Sequence, residues 1–228
     1  MNPAREFEFE RGLVAIRKTR LVEAEQWFTR ALRAEPGWHE ALQRRAYVRE
    51  RRGRLSEAAR DYRTSLAGTP ECKECLEGAA DVAVKRGRRG EAEGFLDQAI
   101  KLDPANSSFR YDRGCVRLSR RRLQEAVEDF SRVVSFCQEG RRMIALVGRA
   151  QARALMGDLR TALEDLDRAV LMRSGVRENH FCRGVVRFLS KDLKGAAEDF
   201  RSAHAPKNLI RELMKSSTKA KRLLIAEG

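Results

Sequence analysis

The sequence predicts an all-α protein, an α-solenoid of antiparallel helix pairs. Three periodic features predict it. Ala24, Ala58, Ala92 and Ala126 follow one another at 34-residue intervals, Ala162 comes 36 residues later and Ala196 a further 34. A fixed period of this length marks a stacked helical unit. With that alanine as position 20, position 8 is Gly12, Ala46, Ala80, Gly114, Ala150 and Gly184, and position 24 is Phe28, Tyr62, Leu96, Phe130, Leu166 and Phe200. Small residues at 8 and 20 let two helices approach, and the large residue at 24 fills the space beside them. Punctuation is the third feature: Gly53, Gly87 and Gly157 stand at position 15, where a tight turn favours a residue without a β-carbon, and Pro36, Pro70 and Pro104 at position 32 end the second helix of the first three units.

The units run over about residues 5–38, 39–72, 73–106, 107–142, 143–176 and 177–206 as a single array. Each hairpin alone leaves one helix face wet, and stacking buries it against the next unit. The two extra residues near 137–141 of the fourth unit, and the first and last units, are where the least regular geometry is expected. Residues 207–226 carry Ile210, Leu213, Met214, Ala220 and Leu224 at roughly helical spacing among Lys215, Lys219, Lys221 and Arg222. They read as an amphipathic capping helix over the last apolar face.

The pattern resembles the tetratricopeptide repeat, whose signature has a small residue at 8, Ala at 20, an aromatic at 24, Ala at 27 and Pro at 32. Position 27 here is Ala31, Ser65, Ala99, Val133, Ala169 and Ala203. The resemblance implies a right-handed solenoid whose first helices line a concave groove. Two departures stand out. The aromatic of position 4 is replaced by Glu8, Leu42, Leu76, Arg110, Leu146 and His180, with Phe7, Phe9, Phe109, Tyr111 and Phe181 nearby. Position 11, tyrosine in the family, is Arg49, Arg117, Arg153 and Arg187, so contacts between repeats are expected to be partly polar.

Composition sets outer bounds. The 228 residues carry a formal charge of +14, with 42% hydrophobic and 35% charged residues, enough to bury a core. No apolar run reaches the roughly 18–20 residues that span a bilayer, and the polar, acidic start does not read as a targeting segment. A cytoplasmic protein is expected, with cytoskeletal or nuclear placement left open. Its five cysteines are expected as reduced thiols. Cys72 and Cys75 form a CxxC that lacks a second pair, so neither metal nor cofactor is expected. The only histidines are His39, His180 and His204, and no metal-helix, phosphate-loop or nucleophile-elbow motif occurs, which argues against an enzyme.

The repeat register turns bulk charge into a location. Positions 11–18, the end of the first helix and the turn, hold 20 cations and three anions across six repeats, and the rest of the chain is close to neutral. A basic ridge is expected there, centred on Arg51, Arg52, Arg54, Arg86, Arg88, Arg89, Arg120, Arg121 and Arg122. Such a ridge attracts polyanions; its bland alternative is a solvated rim that complements helix dipoles. The family's groove positions divide the chain again. Repeats one to three place Glu6, Glu10, Glu40, Glu50, Glu74, Glu77 and Asp81 there with Arg44 and Arg51 between, whereas repeats four to six place Tyr111, Cys115, Leu118, Val147, Gln151, Leu155, Phe181, Val185 and Phe188. That apolar stretch is the expected partner groove, for a peptide or helix. The carboxylate clamp of TPR co-chaperones is disfavoured: its frame meets Phe9, Leu13, Gln43, Tyr47, Glu77 and Asp81, without the cations it requires. The expected function is a non-catalytic protein-interaction scaffold serving assembly of a larger complex. The alternative is binding of RNA or another polyanion, acidic protein tails included, through the ridge.

Overall fold

A computed structural model of the chain describes residues 3–214 and Ala220. Every regular element among the described residues is a helix. The chain divides into two compact units, Met1–Ala105 and Asn106–Gly228, with the boundary at the junction of the third and fourth repeats. The first unit holds α1 (Pro3–Arg17), α2 (Leu21–Ala34), α3 (His39–Arg51), α4 (Leu55–Gly68), α5 (Lys73–Lys85) and α6 (Arg89–Leu102). The second holds α7 (Ser107–Ser119), α8 (Leu123–Phe136), α9 (Glu139–Met156), α10 (Leu159–Met172), α11 (Arg177–Leu189), α12 (Leu193–Ser202) and α13 (Lys207–Met214). Within each unit, helices pair in the predicted order, and the second helix of one repeat packs on the first of the next.

All six position-20 alanines are fully buried, and so are the large residues at position 24. Position 15 is left-handed in every repeat: Gly53, Gly87 and Gly157 are joined by Thr19, Arg121 and Lys191, with φ of 56°, 63° and 68°. The geometry of the turn therefore overrides residue type at three sites, at a cost of roughly 1–2 kcal/mol each relative to glycine. The two extra residues of repeat four make no irregular loop. They join α9, which also takes in part of the usual inter-repeat connection and has 18 residues where α3, α5, α7 and α11 have 13.

The repeats fall into two packing classes. Where position 24 is phenylalanine, position 8 is glycine and position 5 is aromatic. Phe9 meets Phe28, Tyr111 meets Phe130 and Phe181 meets Phe200, with ring centroids 5.5–5.8 Å apart. A β-carbon at Gly12, Gly114 or Gly184 would lie 2.6–2.9 Å from the position-24 ring. Where position 24 is Tyr62, Leu96 or Leu166, position 8 is alanine and position 4 is a buried leucine, Leu42, Leu76 or Leu146. The ring end of Tyr62 lies against Gly78 of the next repeat, as that of Phe130 lies against Gly148. Either class fills one fixed volume between helices, so the missing position-4 aromatic is replaced from position 5.

A buried ionic triad recurs beside this core. In repeats two, four, five and six the carboxylate at position 23, Asp61, Asp129, Asp165 or Asp199, is at most 3% exposed. In repeats two, four and five it accepts two hydrogen bonds from the position-7 arginine (Arg45, Arg113, Arg149) and one from the position-11 arginine (Arg49, Arg117, Arg153), at 2.6–3.0 Å; in repeat six Asp199 accepts from Arg183 Nε and Nη2 and forms an ion pair with Arg187 at 3.0 Å. The position-7 arginine also reaches back to the preceding repeat: Arg45 donates to Thr29, Arg149 to Ser131 and Arg183 to Asp167. Repeat three has Ala79, Ala83 and Phe95 at these positions, with Phe95 packed on the core that includes Ala79. Repeat one has Arg11 stacked 5.3 Å over Trp27. The position-11 arginines, expected to make contacts between repeats, bind mainly within their own, with Arg49 also reaching Glu25 of the preceding repeat; polar contacts between repeats come chiefly from position 7.

At the C-terminal end Leu213 and Ala220 are fully buried in a cluster with Leu166, Val185 and Phe200, flanked by Leu209 and Ile210. α13 covers the first eight residues of the segment expected as a cap; residues 215–219 and 221–226 of that segment lie outside the described residues. No helix among the described residues is long and apolar enough to cross a membrane.

Candidate functional site

The nine groove residues all lie in the second unit. Leu118, Gln151 and Val185 are buried, while Tyr111, Cys115, Val147, Leu155, Phe181 and Phe188 are half-buried. Tyr111 and Phe181 are the position-5 rings that complete their own repeats' cores. Val147, Leu155, Phe181 and Phe188 pack on the cluster that contains Leu213 and Ala220. Burial pushes the Cys115 thiol up to about 12, against an opposing hydrogen bond from Tyr111. Much of this apolar stretch is internal packing.

An open cleft lies in the first unit instead, between α3 and α5 with α4 beneath, and measures about 430 Å³. Gln43, Arg44, Tyr47, Glu50 and Arg51 line it from α3, Glu74, Glu77, Gly78, Asp81 and Lys85 from α5, and Tyr62 from α4. Alternation along the helices explains the set: residues three or four apart share a face. Gly78 lets the ring end of Tyr62 come beneath α5. Tyr47 is 39% exposed. Lys85 is held by Glu50 at 2.5 Å, which ties α5 to α3. The Asp81 carboxyl is raised above its ordinary value, first by burial, then by the Glu50 carboxylate and further by Glu77, against the pull of Lys85. Burial also pushes the Tyr62 hydroxyl up, with the Glu50 and Asp81 charges adding to it. The lining thus gathers four carboxylates, Glu50, Glu74, Glu77 and the exposed Asp81, with three cations, Arg44, Arg51 and Lys85.

The ridge residues divide by partner. Arg52 and Arg54 bind Glu25 of the preceding repeat, with Arg54 also on Glu57. Arg122 binds Glu125 within its own repeat. Arg51, Arg88, Arg89, Arg120 and Arg121 are exposed and Arg86 is half-buried. The position-11 arginines counted with the turns are triad members, with side chains 13–25% exposed.

The sequence profile of the tetratricopeptide repeat family matches residues 44–107 and 78–140, which include most of the cleft. Residues 44–140 are tetratricopeptide repeats. Tetratricopeptide repeat protein 36 of Bos taurus is 38% identical over 85 residues, 36% of this chain and 44% of that protein. The match therefore spans less than half of that relative. Solved TPR folds superpose more broadly. PilW, a type IV pilus biogenesis factor, aligns over 98% of this chain and 100% of its own at 15% identity and a TM-score of 0.75. YrrB, described as a TPR protein with an unusual peptide-binding site, aligns over 86% and 96% at 18% identity and a TM-score of 0.63. A TPR protein from Parabacteroides merdae aligns over 95% and 100% at 20% identity and a TM-score of 0.58. At these identities the likeness establishes the TPR fold.

Two features of this TPR chain escaped the sequence reading. The triads have a signal in the sequence that a count of cations in the turns does not contain: an aspartate at position 23 wherever positions 7 and 11 are both arginine. The cysteines need a correction. Cys72 and Cys75, expected as free thiols, form a disulfide. Cys72 is the N-cap of α5 and Cys75 lies in its first turn, so a spacing of three brings both sulfurs to one side. Cys115, Cys137 and Cys182 remain thiols.

Proposed function

We propose that the protein is a non-catalytic interaction scaffold that holds a lysine- or arginine-bearing segment of a partner protein in the cleft of repeats two and three. The lining carries the reading: Glu50, Glu74, Glu77 and Asp81 converge on the cleft, and the raised carboxyl of the exposed Asp81, to which Glu50 and Glu77 contribute, is a state that an incoming cation relieves. Tyr47 offers an exposed aromatic surface for the aliphatic stem of such a side chain. The TPR fold and the peptide-binding site ascribed to YrrB are in keeping with this role. It moves the expected site from the apolar stretch of repeats four to six, where α13 and the position-5 rings consume much of the surface, to the acidic half of the groove positions.

Titration of a fluorescent lysine-rich peptide by anisotropy tests the proposal. Losing one charge-assisted hydrogen bond costs about 1.5 kcal/mol at the low end, so Asp81→Asn should weaken binding about tenfold. Glu77→Gln should weaken it less. Equal affinity for wild type and Asp81→Asn removes the cleft from the function.

Polyanion binding is the second reading, favoured by the exposed Arg88 and Arg89 beside Arg86 in the α5–α6 turn. It requires retention on an RNA homopolymer column that falls steeply with salt and drops after reversal of Arg88 and Arg89 to glutamate.

A further inference from the structure

We propose that Cys72 and Cys75 form a reversible redox centre whose substrate is a low-molecular-weight thiol of the glutathione class, with Cys72 the sulfur that is attacked. Three observations support it. The two cysteines are unequal: Cys72 is half-buried at the junction of α4 and α5, and Cys75 is fully buried, so an incoming thiolate reaches Cys72 first.

The environments also suit different protonation states. Cys72 Sγ accepts a hydrogen bond from the Cys75 backbone N–H at 3.2 Å and caps the N-terminus of α5, where the helix dipole favours a thiolate. The Glu74 carboxylate lies 3.9 Å from Cys72 Sγ and opposes the dipole's effect there. Cys75 Sγ lies 3.4 Å from Ser65 Oγ, which is 3.1 Å from the His39 carbonyl. A reduced Cys75 thiol can donate to Ser65, which donates on to His39. Finally, the bridge spans a sequence separation of only three, so it restrains little of the unfolded chain and a purely structural role is a weak account of it.

Reduction proceeds in two exchanges. A small thiolate attacks Cys72 Sγ; its sulfur bonds to Cys72, the Cys72–Cys75 bond breaks, and the electron pair leaves on Cys75, which takes a proton. A second thiolate attacks the small molecule's sulfur in the mixed disulfide and releases Cys72 as thiolate. Two small thiols are thereby oxidised to one disulfide, and the protein disulfide is reduced to two thiols. Oxidised small thiol drives the reverse. Among the described residues no group of three or more metal-ligating side chains includes the pair, which sets it apart from a zinc site.

The test equilibrates the full chain in buffers of varied reduced-to-oxidised glutathione ratio, traps free thiols by alkylation and maps them by peptide mass, with circular dichroism in parallel. Cys72 and Cys75 should convert together between disulfide and dithiol, with helix content unchanged and Cys115, Cys137 and Cys182 unaffected. Oxidised glutathione should form a mixed disulfide at Cys72 in Cys75→Ser at least tenfold faster than at Cys75 in Cys72→Ser. A pair that stays oxidised until the protein unfolds, one that stays reduced in oxidised glutathione, or equal rates in the two variants overturns the proposal. The wild-type titration stands without either variant, so a substitution that fails to fold does not remove the test.

Discussion

Substituting Asp165 with alanine isolates the worth of a buried triad. Its carboxylate is 2% exposed and accepts from Arg149 at 2.7 and 2.9 Å and from Arg153 at 2.6 Å. Asp165→Ala leaves two guanidinium groups side by side, 12% and 25% exposed, without their counter-charge. Removing one partner of a buried pair costs about 3–5 kcal/mol, because the remaining charge stays desolvated. For a chain of this size that corresponds to a fall in Tm of roughly 6–20 °C. The chain supplies its own control, since repeat three carries Ala79, Ala83 and Phe95 in the same places. The triple variant Arg149→Ala, Arg153→Ala, Asp165→Phe should recover most of the loss, as apolar replacements of buried ion groups commonly do. Thermal and urea melts followed by circular dichroism measure both, with melting allowed to be multi-step as in other repeat arrays. A single variant that loses less than about 1 kcal/mol, or a triple variant no more stable than the single, refutes the account of the triads as mutually compensated buried charge.

Other expectations follow from the packing classes and the ends of the array. Gly114→Ala places a β-carbon 2.8 Å from Phe130 and should destabilise by about 1–3 kcal/mol, with Phe130→Leu recovering part of the loss because repeats three and five already pair alanine with leucine; an additive double mutant would contradict the class rule. Burial acts to raise the Glu25 carboxyl, but the Arg49 hydrogen bond and the charges of Arg49, Arg54 and Arg52 outweigh it and hold it below 4.5. A depressed carboxyl stabilises the fold above its unfolded value and loses that contribution as pH falls through the folded one. Wild type should therefore lose stability below pH 4.5, and Glu25→Gln should flatten that acid limb in melts taken at successive pH values. Leu213→Ala should cost about 2–5 kcal/mol and raise binding of an apolar dye as Phe181 and Phe188 lose their cover; unchanged dye binding would show that α13 does not shield them.

Particular residues show why some of this was legible in the chain and some was not. The six alanines from Ala24 to Ala196 announced the helix pairs, because close helix approach tolerates only a small side chain and the demand recurs with each unit. The acidic lining of the cleft was also readable, since Glu77 and Asp81 are four apart and so share a helix face. The partial burial of the apolar stretch was not: Tyr111 and Phe181 look like exposed rings by register, yet each is half-buried against the position-24 ring of its own repeat. Register states where a residue points along one helix, and only the neighbouring helix decides whether that direction meets water.

The same division holds for charge. By itself the sequence determined the repeat, its period and the concentration of arginine near the turns, because these depend on local spacing. Only the tertiary structure decided that Arg49, Arg117, Arg153 and Arg187 face aspartates 12 residues further along, that Arg52 and Arg54 reach back to Glu25, and that Arg88 and Arg89 remain exposed. The physical reason is that an ion pair is set by distance through space and by the water excluded around it, neither of which a count of charges along the chain contains.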